Sequence, residues 1–430
     1  MCKRFCLYVR NGRESAPSRR LSAPSINRPL PLRGALAIIC VAAAATTVNA
    51  ADSAQPIWSV IADQELRYSS WSGTRGYPAS ASLAPGAGSQ LYDVSTVQVT
   101  GLPVENLKVD LLGKGGYVWS QQSTPGLTGS VATTTDTVVS GTVTYLGVPG
   151  VLPFIGMNVN LPTGTTALFG SAANARMDPD IVDLATFGEG MNIGPTVGVN
   201  IPIGNALMVT FSSGYTWRGS YRTEAQQFDP TAMQGTTLVE PSRVATQSAS
   251  LGYQQGSLTL LASASYTHET ATYLNNVAQY ELGDRYTVSG TAGYAWTPSS
   301  STTFTATWTN AEKNRILDPV LLALIPESFR TNSAVYRFRL QQTFTNGNWT
   351  VAPMVNYMLR DQNSYDPITL QFIPAKTRIG TGGSAQYAIG NGMSLKASVE
   401  HFWINEDPTA RTPDDRTVGW VAMLGGSMKF

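Results

Sequence analysis

The chain has 430 residues, 42% of them hydrophobic, and 29 basic against 28 acidic side chains for a net charge of +1. It is too long for one soluble all-β domain but ordinary for a large barrel, and its apolar share lies below the globular norm. It contains no run of 18 apolar residues, which disfavours membrane-spanning helices.

The first predicted element is a cleaved export signal over 1–50. Its apolar core, Ala35 to Ala45, follows the basic Arg28 and Arg33 and leads to Val48-Asn49-Ala50, a small-x-small cleavage site. The polar stretch ahead of that core is long, so the start codon is expected downstream of Met1. Ser18-Arg19-Arg20-Leu21 resembles a twin-arginine signal but stands far from the core, and Cys40 lacks the small residue that a lipoprotein signal needs before it. All three cysteines, Cys2, Cys6 and Cys40, fall in this leader, so the mature chain has no disulfide framework. Removing the leader's eight basic and one acidic residue leaves a net charge of about −6, unfavourable for nucleic acid.

Beyond the leader, period-two alternation bounded by turn residues predicts sixteen strands, near 58–68, 91–100, 105–119, 134–147, 154–161, 193–202, 206–218, 244–254, 258–268, 283–296, 302–312, 333–345, 349–360, 375–388, 393–404 and 417–430. Their connections alternate between short and long. The short ones carry turn chemistry: Gly101-Leu102-Pro103, Ile203-Gly204-Asn205, Gln255-Gly256-Ser257, Pro298-Ser299-Ser300, Asn346-Gly347-Asn348 and Gly390-Asn391-Gly392. The long ones lie near 69–90, 120–133, 162–192, 219–243, 269–282, 313–332, 361–374 and 405–416. The fold class expected is therefore all-β, a single antiparallel transmembrane β-barrel over 51–430 with short periplasmic turns and long outer loops, fourteen strands being the alternative count. The first two strands are the weakest, because Gln64 interrupts the apolar face of 58–68, and an N-terminal plug is the alternative there. A soluble sandwich or secreted adhesin is the competing class.

The last strand argues against that class. Val418, Trp420, Ala422, Leu424, Gly426, Met428 and Phe430 share one side, an apolar face that suits a bilayer and resembles the C-terminal signature of bacterial outer-membrane barrels. Trp119, Trp217, Trp296, Trp308, Trp349, Trp403, Tyr215, Tyr266 and Tyr294 fall near strand ends on the same outward parity, as interfacial girdles require. Aromatics are common in strands anyway, which explains any one of them but not their clustering at ends.

Alternation assigns the opposite face to the interior. Ser263, Ser265, Thr287, Ser289, Thr291, Thr303, Thr305 and Thr307 suit a water-filled wall. The strands from 333 to 404 add a basic wall of Arg337, Arg339, Arg360, Arg378 and Lys396, with Glu400 as the one acid among them. Either these cations pair structurally, with Glu400, Asp63, Glu65 or loop carboxylates, or they select anionic solutes, or they dock a partner or plug.

The long loop 162–192 carries Asp178, Asp180, Asp183 and Glu189. In order and charge it is similar to the inward third loop of sixteen-stranded general porins, which would make it a constriction; an acidic loop in solvent or binding divalent ions is the alternative. Within 313–332 the apolar residues Ile316, Leu317, Val320, Leu321 and Leu324 suggest two helical turns, with Pro319 in the first, folded over the mouth as an apolar capture site.

Phe154-Ile155-Gly156-Met157-Asn158-Val159-Asn160-Leu161-Pro162-Thr163-Gly164 forms a strand and turn, and Gly188 to Val199 leads into a strand reaching Tyr215. This block resembles the outer-membrane family named for the meta pathway of phenol degradation, in which a strand ending in a Leu-Pro-Thr-Gly-like turn precedes a loop and a glycine-containing strand. The resemblance implies help for hydrophobic or aromatic compounds in crossing the outer membrane. It carries over no ligand residue.

Catalysis finds little support. His268 and His401 lie in no metal-ligand pattern. An outer-membrane phospholipase would need a serine two residues from a histidine on the outward face; His401 has Val399 and Trp403 there, and His268 has Thr270. Gly113-Lys114-Gly115-Gly116 lacks the spacing of a phosphate loop.

The sequence thus predicts a non-enzymatic outer-membrane channel for passive uptake of small solutes, without cofactor or metal. Hydrophobic or aromatic compounds are one solute class; a general or anion-preferring porin and a surface adhesion or assembly barrel are the alternatives. The expected partners are outer-membrane lipids and lipopolysaccharide, the barrel-assembly machinery, small-molecule solutes and a second copy of the chain.

Overall fold

A computed structural model describes residues 58–74, 86–124, 127–224, 236–409 and 415–430. The expected signal peptide over 1–50 and the charge of the mature chain lie outside the described residues. Sixteen strands form a closed antiparallel ring. They are β1 (Trp58–Gly73), β2 (Gly86–Val104), β3 (Leu107–Thr124), β4 (Thr137–Tyr145), β5 (Leu152–Leu161), β6 (Asn192–Ile203), β7 (Leu207–Arg218) and β8 (Val244–Gln255). The second half comprises β9 (Leu258–Glu269), β10 (Arg285–Thr297), β11 (Ser300–Ala311), β12 (Val335–Asn346), β13 (Trp349–Arg360), β14 (Lys376–Gly390), β15 (Met393–Glu406) and β16 (Asp415–Lys429).

Each strand pairs with its neighbours in sequence, and β1 closes the ring on β16 from Ile61↔Lys429 to Gly73↔Thr417. The Phe430 amide donates to the Val60 carbonyl at 2.9 Å, sealing the lower end. Closure leaves no unpaired edge in the ring, the condition a strand must meet in hydrocarbon. β1 is not a plug: it pairs along its whole length with β2, and Gln64 stays in the ladder. On the outward face Gln64 donates to Asp93 and accepts from Ser95, which satisfies its amide locally.

Tight turns follow from residues that tolerate positive φ. Gly204, Gly256 and Gly347 stand at φ +59°, +55° and +57° in their hairpins. One expected turn is displaced. Gly101-Leu102-Pro103 continues β2, and the chain reverses at Glu105-Asn106, where Asn106 takes φ +62°.

Two further departures concern the wall's upper part. The segment expected as one strand over 134–147 is broken at Thr135-Asp136: Leu127–Thr134 pairs with the top of β3 outside the ring, and β4 pairs with its lower half. The outer loops after β7, β9 and β11 are not irregular either. Each contains a short hairpin, and the three join edge to edge as a six-stranded sheet running from Tyr221–Glu224 to Ala323–Pro326.

Residues opposite one another across a ladder share a face, so the register carries the inside and outside around the ring. The outward row Phe211–Ala249–Ala264–Val288–Trp308–Tyr336–Leu359 is apolar. The inward row Ser263–Ser289–Thr307–Arg337–Met358–Arg378–Ile404–Thr417 is mostly polar. Outward aromatic pairs meet edge to face near both ends, Tyr215 with Trp217 at 4.8 Å above and Tyr294 with Trp296 at 4.6 Å below. The buried core sits within the ring, between its inner face and the 162–191 loop. One cluster joins Trp71, Phe402 and Ile404 to the loop's Met177, Ile181 and Val182; the other joins Tyr92, Val94 and Val118 to Leu168 and Phe187.

Candidate functional site in the lumen

The inserted loop begins and ends at one carboxylate. Asp136, in the break before β4, accepts from the Gly164 amide at 2.8 Å, the Glu189 amide at 2.7 Å and the Asn160 side chain at 2.7 Å. This brings the loop's two ends together, so closely that a Cβ on Gly164 would stand 2.0 Å from the Phe187 carbonyl oxygen. Close approach, rather than a left-handed turn, explains the glycine after Leu161-Pro162-Thr163. Gly164→Ala is expected to lower the folded fraction sharply, seen as loss of the heat-modifiable band on gels; an unchanged folded fraction would refute the packing argument.

From that latch the loop crosses to both sides of the wall. The Gln90 side chain behaves like a strand partner, donating to the Leu184 carbonyl at 2.8 Å and accepting from its amide at 3.2 Å. Ser120 donates to the Ala175 carbonyl at 2.9 Å. Asp183 meets Arg67 of β1 at 3.5 Å, while Asp178 and Asp180 meet Lys376 of β14 at 3.4 and 2.6 Å. The Lys376 side chain is fully buried, so its ammonium depends on these acids. Glu189 differs from the other predicted acids, accepting from Thr186 at 3.2 Å beside the latch.

Arg176 ties the loop to the outer sheet through Glu224 at 2.9 Å, and Glu224 also accepts from the Leu168 amide at 3.0 Å. Burial raises the Glu224 pKa, but these donors outweigh it and hold the carboxyl below its ordinary range. Its contribution is present above the ordinary carboxylate range and lost as pH falls through the lower folded value. A spin label at Ser171 should be immobile at neutral pH and loosen only at a pH below the ordinary carboxylate range; immobility throughout would refute the anchor.

The register places all five residues of the predicted basic wall inward, but their environments differ. Arg360 pairs with Glu406 at 2.9 Å, Lys396 with Asp63 at 3.2 Å, and Arg378 with Glu400 at 2.7 Å while lying 4.7 Å over the Phe402 ring. Asn356 donates to the other Glu400 oxygen at 2.8 Å. Gly380 makes room for that carboxylate, since a Cβ there would lie 2.1 Å from it. Arg337 and Arg339 have no carboxylate partner among the described residues; Arg339 donates to Gln341 at 2.7 Å. These two face a space of about 340 Å³ bounded by Thr305, Thr307, Asn356 and Met358 on the wall and by Asp180, Ile181, Val182 and Asp183 on the loop.

The hydroxyl wall of β9–β11 is inward too, with Ser263 and Ser289 at 2.7 Å and Thr291 and Thr305 at 3.1 Å. The inserted loop packs against β1–β3 and β14–β16.

The apolar stretch after β11 is not helical. Arg315–Asp318 and Ala323–Pro326 pair as a hairpin, and Ile316 also pairs with Tyr280 of the preceding hairpin. Lateral pairing outweighs the helical tendency of so short a segment. Asp318 caps the tip by accepting from the Val320 and Leu321 amides, both at 2.8 Å. Val320, Leu321 and Leu322, at the tip, are 85%, 66% and 77% exposed. Ile316 is exposed, and Leu317 and Leu324 are half-buried.

The histidines are outward. His401 packs against Trp403 and Trp420, both 4.2 Å away, and His268 lies 2.7 Å from Asp284, which also accepts from Tyr266 at 2.6 Å. Among the described residues no group of three His, Cys, Asp or Glu is placed to hold a metal.

Sequence reasoning missed Asp136, Lys376, Trp71 and Phe402. Lys376 was visible as the inward position two before Arg378. An inward aromatic has no such signal, because it needs the loop beside it to be buried.

No family model matches the chain, and no curated protein matches it in sequence. Solved structures match over most of its length at low identity. An outer-membrane channel from Pseudomonas putida F1 is 10% identical, covering 88% of this chain and 97% of its own, with a TM-score of 0.36. OccK11 of Pseudomonas aeruginosa is 11% identical over 86% of this chain and 96% of its own, with a TM-score of 0.40. A variant of the Rhodopseudomonas blastica porin is 13% identical over 86% and 100%, with a TM-score of 0.31. The closed ring, apolar outer face and double girdle are this chain's own, and they make it a β-barrel of the bacterial outer membrane.

Proposed function

We propose that the protein is a passive channel for small organic anions, aromatic carboxylates being the class that fits its lumen best. The observation behind this reading is the pair Arg337 and Arg339, two inward guanidiniums without a carboxylate partner among the described residues, across from Ile181 and Val182. A guanidinium is always charged and offers a planar fork to a carboxylate, while apolar loop side chains suit a ring. Asp178, Asp180 and Asp183 are engaged by Lys376 and Arg67, so the field in the gap is set mainly by the arginines. The loop over 162–191 is the constriction, with Asp178, Asp180 and Asp183 fixing its position and Glu189 closing its base. The exposed tip Val320–Leu322 is a first contact for apolar solutes.

A neutral hydrophobic cargo is the second reading, favoured by the resemblance of 154–215 to the phenol-degradation family. Bilayer currents with potassium benzoate in place of chloride separate the two. Carried benzoate current, with no block by toluene, supports the anionic cargo; no benzoate current with saturable toluene uptake into liposomes supports the neutral one.

A further inference from the structure

The outer face of β6–β11 carries a groove of about 700 Å³ that transport does not explain. Its floor is Ala249 and Ala264, and its walls are Phe211 on one side and Val288 and Trp308 on the other, all outward by register. The floor continues downward with Ala262 and Gly290, which also face each other outward, so a trough of small residues runs down the wall. Tyr266 and Tyr286 cross its upper end, their rings 5.4 Å apart. These rings belong to the upper girdle, so the trough lies at the depth of hydrocarbon chains.

Above the girdle, on strands shared with the trough, is a polar cleft of about 490 Å³ lined by Tyr215, Arg218, Ser220, Arg243, Thr270 and Tyr273, with Glu240 as the one acid among its lining. One outward row, Tyr215–Ala245–His268, separates it from the row that opens the trough, Ser213–Gln247–Tyr266. Arg218 is engaged by Glu269 at 3.3 Å. Arg243 is exposed, and its backbone rather than its guanidinium is occupied: its amide donates to the Thr270 hydroxyl at 2.9 Å and its carbonyl accepts from the Thr270 amide at 3.0 Å.

We propose that this face is a binding site for one phosphorylated, acylated glycolipid of the outer leaflet. An acyl chain lies in the Ala249–Ala264 trough, a phosphate meets the Arg243 guanidinium, and the hydroxyls of Ser220, Thr270 and Tyr273 meet the sugar. Three features join to carry it: an apolar trough at acyl depth, a cation without an acidic partner among the described residues at headgroup height, and polar hydroxyls at sugar height on the side of the long outer loops. The proposal is independent of what the lumen conducts.

Native mass spectrometry of the detergent-solubilised barrel tests it with three probes: bisphosphorylated lipid A, the same lipid without phosphates, and phosphatidylglycerol. The expected result is one tightly held bisphosphorylated lipid A, weakened about tenfold by removing its phosphates or by Arg243→Ala. Ala264→Trp, which fills the trough, should abolish retention without changing channel conductance. Equal retention by Arg243→Ala and the wild type would overturn the proposal, as would equal retention of phosphatidylglycerol. A stable dimer disrupted by Ala264→Trp, with no lipid held, would overturn it in favour of a second copy.

Discussion

Replacing Arg337 and Arg339 together by alanine is expected to lower the anion-to-cation permeability ratio about five- to tenfold in planar bilayers, with conductance unchanged or slightly raised. Two unit charges 4 Å apart interact by about 1 kcal/mol in water and by several times that near a low-dielectric wall. Each guanidinium lost therefore removes about a fivefold preference before salt screening. Both residues point into the gap between wall and loop, and neither is in an ion pair among the described residues, so their loss leaves no carboxylate uncompensated. Arg360→Ala is the internal contrast. Its partner Glu406 would be left without it, so stability should fall while selectivity changes less. A double variant with an unaltered reversal potential would remove the arginines from the account of selectivity.

Lys376→Met should release the loop from the β14 side. The lysine side chain is fully buried and its ammonium stands 2.6 Å from Asp180 and 3.4 Å from Asp178. Deleting one partner of a buried pair costs about 3–5 kcal/mol, because the remaining charges stay desolvated and repel one another. The least costly relief is for the segment around Asp178 to leave the wall, taking Ile181 and Val182 out of their contact with Trp71 and Phe402. Single-channel conductance should rise several-fold and become noisy, while the ring itself stays folded. Conductance equal to wild type, with the same thermal stability, would mean that this ion pair does not position the loop.

The barrel was legible because lipid and water impose period-two alternation on every strand, and the sixteen predicted segments all enter the ring. Alternation failed where something other than solvent faces the strand. Phe402 and Trp71 are inward aromatics, made tolerable by Ile181 and Met177 of the inserted loop, which a strand-by-strand reading assigns to no partner. The break at Thr135-Asp136 has a similar cause: Asp136 is drawn out of the ladder to collect amides from residues 28 and 53 positions away. The hairpin at Ile316 was misread as a helix because its pairing partner Tyr280 belongs to another loop. The basic wall was recoverable as a set of inward positions. Glu400 and Asp63 were recoverable as candidate partners too; which cations they take, and that Arg337 and Arg339 have no carboxylate partner among the described residues, was not, because that depends on which strands lie side by side.

The reversal potential of the wild-type channel under a tenfold potassium chloride gradient tests the central claim most directly. A lumen wall that carries Arg337 and Arg339 without carboxylate partners among the described residues predicts a potential displaced toward that of chloride, and a smaller displacement as ionic strength rises. A potential at zero or displaced toward potassium would contradict it.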